Sequence, residues 1–112
     1  MIKRLIIFLS LNALFTNGHS QKISISGYVT DAASGEIIAG ATVTTADYLN
    51  YAISNSYGYY FLTLNRSEDS VKVQASFVGF SPSSISIIPR QNLTIDFALI
   101  NTNILDEVIV SA

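Results

Sequence analysis

Apolar residues recur at every second position over long stretches from Ile23 to Leu99, the spacing of strands with one buried face and not of an amphipathic helix. In the first run Ile23, Ile25 and Val29 share one face, with Ser24, Ser26, Tyr28 and Thr30 on the other. It ends at Asp31-Ala32-Ala33-Ser34-Gly35, a turn signal, because Asp and Ser hydrogen-bond locally and Gly accepts positive φ. A second run sets Ala41 and Val43 against Thr42 and Thr44, with Gly40 marking its start. A third, near Tyr51, passes through Asn55-Ser56-Tyr57-Gly58 into a run with Tyr60, Leu62 and Leu64 on one face. The Asn-to-Gly interval suits a four-residue hairpin loop. Val71, Val73, Ala75 and Phe77 follow, then a break at Gly79, then Ile85 and Ile87 after Pro82. Last, Leu93, Ile95, Phe97 and Leu99 alternate with Thr94, Asp96 and Ala98. The spacing of runs and turns predicts an all-β fold, a seven-stranded antiparallel β-sandwich over residues 21–100.

The first 20 residues follow a different pattern. Lys3 and Arg4 precede an apolar stretch from Leu5 to Phe15, and Gly18-His19-Ser20 places small residues three before and one before a cleavage point. This is the tripartite form of a secretory signal peptide, with a core too short for a permanent membrane-spanning helix. The expectation is an exported chain whose mature start is Gln21, enough for one domain.

Composition narrows the chemistry. The chain is 49% hydrophobic and 12% charged, with no Cys and one His, so disulfide frameworks and cysteine-ligated metal sites are excluded. Beyond Ser20, Lys22, Arg66, Lys72 and Arg90 face eight carboxylates, a formal charge of −4 that argues against nucleic acid as a partner. His19 leaves with the signal peptide, so no Ser-His or Cys-His nucleophile pair can be assembled in the mature chain. The pairs Asp31 with Glu36, Glu68 with Asp69 and Asp106 with Glu107 sit in turns, loops and tail, and read as solvated charges and not as acid–base machinery. The expectation is a non-enzyme with no cofactor and no metal site.

Tyrosines offer a second line of chemistry. Tyr48, Tyr51, Tyr57, Tyr59 and Tyr60 crowd one region, and exposed aromatic rings on a sandwich edge can stack against sugars. Tyr57 and Tyr59 are the expected outward-facing stacking residues of a stand-alone carbohydrate-binding or adhesion module, and Tyr60 reads as core. Strand packing alone also favours aromatics.

Three segments together resemble a known family. They are Ile25-Ser26-Gly27-Tyr28-Val29-Thr30-Asp31, Ser34-Gly35-Glu36-Ile37-Ile38-Ala39-Gly40-Ala41-Thr42-Val43, and Ser54-Asn55 before Gly58-Tyr59-Tyr60. The order of motifs is similar to the carboxypeptidase regulatory-like domain, a transthyretin-type (prealbumin-like) sandwich at the N-terminus of many Bacteroidota SusC-like TonB-dependent outer-membrane receptors. Ser76-Phe77-Val78-Gly79-Phe80 continues the resemblance. Ser54-Asn55 stands where the family usually has Thr-Asp, and Tyr60 where it usually has Phe.

The end of the chain carries the partner expectation. Residues 105–112 form a β-prone run behind two carboxylates, placed after a complete small domain. This segment is similar to the family's TonB box. The resemblance implies that residues 101–112 form a linker and a strand in which Asp106, Glu107, Val108, Ile109, Val110 and Ser111 are gripped by the TonB C-terminal domain on the periplasmic side of the outer membrane. The alternative of an eighth sandwich strand stays open. A receptor of this type would also possess a plug and a transmembrane barrel, which are not in this chain and through which alone it would meet the membrane.

Overall fold

The structure, a computed structural model, describes residues 21–102. The expected signal peptide and the TonB-box-like tail lie outside the described residues. The strands are β1 (Lys22–Asp31), β2 (Thr42–Thr45), β3 (Tyr51–Ile53), β4 (Tyr59–Asn65), β5 (Val71–Ser76), β6 (Phe80–Ser81), β7 (Ser83–Ile87), β8 (Leu93–Thr94) and β9 (Phe97–Asn101).

They build two sheets facing each other across one core, the expected β-sandwich. One sheet runs β4-β1-β9-β6, with β8 also on β1, and the other runs β3-β2-β5-β7. The two-residue strands β6 and β8 raise the count of described strands from the expected seven to nine. Period-two alternation supplies the core as expected. Ile23, Ile25 and Val29 of β1 and Tyr60, Leu62 and Leu64 of β4 meet Val43, Val73 and Ala75 of the facing sheet, with Phe97 and Leu99 of β9 between.

Four details differ from the sequence expectation. First, β8 and β9 pair with β1 in parallel, because the chain returns from β7 in the other sheet and re-enters at the same end as β1. Second, the stretch from Leu93 to Leu99 is two strands, interrupted where Ile95 and Asp96 pass Gly27. The Ile95 amide donates to the Ser26 carbonyl, and the Asp96 Oδ1 accepts from the Tyr28 amide at 2.9 Å, so a side chain fills in for a missing ladder acceptor. Third, the turn at Asn55 to Gly58 is no hairpin within a sheet. It carries the chain from β3 in one sheet to β4 in the other. Fourth, Thr44 is buried although it alternates with Val43, because the turn after β2 folds back over it and its hydroxyl donates to the Thr45 and Asn50 carbonyls.

The register fixes the two ends of the sandwich. Gln21, the segment after β4 and the β7–β8 connection share one end, where the Arg66 amide donates to the Gln21 carbonyl and the Ser67 amide to the Pro89 carbonyl. At the opposite end, Val29 donates to the Gly58 carbonyl, and the Thr102 amide and hydroxyl both donate to the Gly79 carbonyl at 2.9 Å. β1 spans ten residues between them, a distance of about 30 Å at ~3.3 Å per residue. The described chain therefore begins at one end of the sandwich and ends at the other.

Candidate functional site

Of the expected site residues, Asp106, Glu107, Val108, Ile109, Val110 and Ser111 lie outside the described residues. Tyr57 and Tyr59 lie within them, at the turn where the chain changes sheets. This turn is built by Asn55, whose Oδ1 accepts from the amides of Tyr57 at 2.9 Å and Tyr59 at 3.1 Å, while the Gly58 amide donates to the Asn55 carbonyl. Gly58 adopts a φ of 76°, and a Cβ there would lie 2.9 Å from the Ile37 Cβ. The turn leaves Tyr57 exposed, at 73% of its surface. Tyr59 is half-buried, and its ring meets Tyr28 edge-on across the β1–β4 pair, with centroids 5.3 Å apart. The two expected stacking rings are thus differently engaged, one free and one packed.

The structure brings a different pair of tyrosines together. On the outer face of the β3-β2-β5-β7 sheet, Tyr48, Tyr51, Thr42, Thr44, Gln74 and Ser76 line an open cavity of about 340 Å³. Register explains the grouping. Tyr51 pairs with Thr44 and Thr44 with Gln74, and Thr42 pairs with Ser76, so these side chains form adjacent rows on the face opposite Val43 and Ala75. Tyr51 is 67% exposed and Tyr48 75% exposed. Tyr48 sits in the turn after β2 with φ at 61°, in the left-handed region that aromatic residues rarely occupy. The signal for this grouping was present in the spacing of Tyr51, Thr44 and Thr42, but reading it requires knowing which strand lies beside β2.

Several charged groups hold local structure. Glu68 bridges Arg90 at 2.7 Å and Arg66 at 3.1 Å on the surface, and the Arg90 side chain, as the main cause, holds its carboxyl below the usual range. Asp47 accepts from the Thr45 hydroxyl and, at 3.0 Å, from the Leu49 amide, which lowers its pKa. Asp31 accepts from the Ala33 amide. Burial, aided by the nearby Asp96 charge, pushes the Tyr60 phenol well above its ordinary value. No cluster of three or more His, Asp or Glu side chains with metal-ligand geometry occurs among the described residues.

The fold has a counterpart in a solved enzyme. The chain is similar to chlorocatechol 1,2-dioxygenase from Pseudomonas putida, with a TM-score of 0.58 over 73% of this chain, at 14% identity. That is a likeness of fold alone, and the match spans 61% of the dioxygenase chain. No curated protein matches the sequence. The family model described as a CarboxypepD_reg-like domain matches residues 25–110, which takes in all the strands but the first three residues of β1. On that match, and with a transthyretin-like sandwich of a regulatory, non-catalytic type beneath it, the chain belongs to the CarboxypepD_reg-like domain family.

Proposed function

We propose that this chain is the non-catalytic periplasmic module of a TonB-dependent outer-membrane receptor for bulky nutrients such as glycans or peptides. Its tail engages TonB by strand addition. The observation that carries the reading is the family match itself, which runs through residue 110 and so includes the β-prone tail with the sandwich.

In this mechanism Val108, Ile109 and Val110 add to a sheet edge of the TonB C-terminal domain, and main-chain hydrogen bonds provide the attachment. Asp106 and Glu107 steer a basic partner and oppose self-pairing between copies. The fold supports the transmission of force. A pull on the tail enters at Thr102, whose two hydrogen bonds reach Gly79, and then loads β9 along its length against β1 and β6. Hydrogen bonds between strands pulled along their axis share the load. Plug and barrel belong to the rest of such a receptor, and the module itself transports nothing.

The test is capture of the full chain by an immobilised TonB C-terminal domain. Ile109→Pro removes one main-chain donor and should weaken capture at least about tenfold, with thermal stability unchanged. Undiminished capture of this variant overturns strand addition.

A further inference from the structure

We infer that the cavity between Tyr48 and Tyr51 on the outer face of the β3-β2-β5-β7 sheet binds a pyranose ring of a neutral oligosaccharide. The inference stands on different residues from the TonB reading, and neither needs the other.

Its first support is the way the two rings are presented. Tyr48 is held by a pinned turn. Its amide donates to the Thr45 carbonyl at 2.9 Å, the Thr45 amide donates to the Asn50 carbonyl, and the Asp47 carboxylate takes the Leu49 amide and the Thr45 hydroxyl. Such a turn holds an aromatic residue at a φ of 61°, a conformation with an energetic cost that core packing does not explain, because the ring is exposed. Tyr51 is fixed from the other side by the β2–β3 ladder. With the backbone held in place, each ring has only its two side-chain torsions to lose on binding, and ring faces suit the axial C–H surface of a sugar.

The second support is what lies between the rings. Thr42, Gln74 and Ser76 make no side-chain hydrogen bond to the protein among the described residues, although each lines the cavity. One amide, with two donors and an acceptor, and two hydroxyls are therefore open to a ligand. This set can serve adjacent sugar hydroxyls, which both donate and accept. The third support is charge. None of the six lining residues is ionised at neutral pH, and the nearest cation along β5 on this face is Lys72, two residues from Gln74. A phosphate or an acidic glycan has no counter-charge within the cavity. The volume of about 340 Å³ is at the small end of ligand clefts, which run from roughly 300 to 1,000 Å³, and fits a local sugar contact better than an extended peptide.

The experiment is a calorimetric titration of the full chain with cellohexaose, maltohexaose, xylohexaose and mannohexaose. At least one should saturate, with Kd on the order of 0.1 to 1 mM. Tyr51→Ala and, separately, Tyr48→Gly, which relaxes the turn, should each weaken that binding by about tenfold or more, and Tyr57→Ala should leave it within about twofold. Gln74→Ala should weaken it too. The proposal is overturned if none of the four sugars saturates, or if the Tyr48 and Tyr51 variants bind as the parent does. It is equally overturned if Tyr57→Ala loses as much, or if the chain self-associates in a way that Tyr51→Ala abolishes, since a second copy would then occupy the face.

Discussion

Tyr60 concentrates much of the residue-scale chemistry. It is 1% exposed, its ring packs against Phe97 at 5.9 Å, and its hydroxyl donates to the Ile95 carbonyl on the far side of β1. Gly27 is its direct partner across the β1–β4 ladder, so the absence of a side chain there lets the tyrosine reach over the strand. A phenylalanine at this position would leave the Ile95 carbonyl without that donor. Tyr60→Phe should therefore cost about 1 kcal/mol at pH 7. The pH dependence has a definite sign. Burial raises the folded-state pKa of the phenol above the ordinary value near 10, so its stabilising contribution is complete below about pH 10 and is lost as pH rises past it. Urea denaturation between pH 7 and 11 should show the parent and Tyr60→Phe curves converging on the alkaline side. A difference that stayed constant would mean that the phenol titrates normally.

At the scale of elements, the critical junction is where β8 ends, β9 begins and both meet β1. A Cβ on Gly27 would collide with the Ile95 carbonyl oxygen and lie 2.7 Å from the Asp96 Oδ1, the atom that holds the Tyr28 amide. Both obstacles are part of the junction, so Gly27→Ala should push β8 and β9 away from β1 and destabilise the fold by about 2 to 4 kcal/mol. Amide exchange at Tyr28 and Ile95 should accelerate before the rest of the sheet. A variant as stable as the parent would show that the junction tolerates displacement. The crowding at Gly27 was legible in the sequence as a glycine inside an alternating strand, and so was the buried face of β1, β4, β5 and β9, because period-two spacing reports burial directly. Strand partners were not legible. Nothing in Asn55 to Gly58 distinguishes a turn that closes a hairpin from one that changes sheets, since its local hydrogen bonds are the same in both. The two-residue strands β6 and β8 arise from pairing geometry and leave no hydrophobic period to read. Nor was the grouping of Tyr48 with Tyr51 about one cavity legible. Alternation predicts which residues face outward, whereas a cavity depends on which outward residues become neighbours through β2 and β5.

For the molecule as a whole, the arrangement separates two ends. The β2–β3 turn with Tyr48 lies toward the end where β1 begins, and Thr102 lies at the end where β1 and β9 finish. A load applied beyond Thr102 thus enters about one strand length from the Tyr48 turn, while the Thr42–Ser76 row places the other edge of the cavity three residues before Gly79. The buried residues Ile25, Val29, Tyr60, Leu62, Val73 and Leu99 form one cluster whose members all lie between Ile23 and Leu99, and the Thr102 amide and hydroxyl both reach the Gly79 carbonyl. A stop after Thr102 should accordingly leave the midpoint of thermal unfolding within about 2 °C of the full chain while removing capture by the TonB C-terminal domain. A fall of about 8 °C or more would assign the last ten residues to the sandwich as a further strand and would overturn strand addition by the tail.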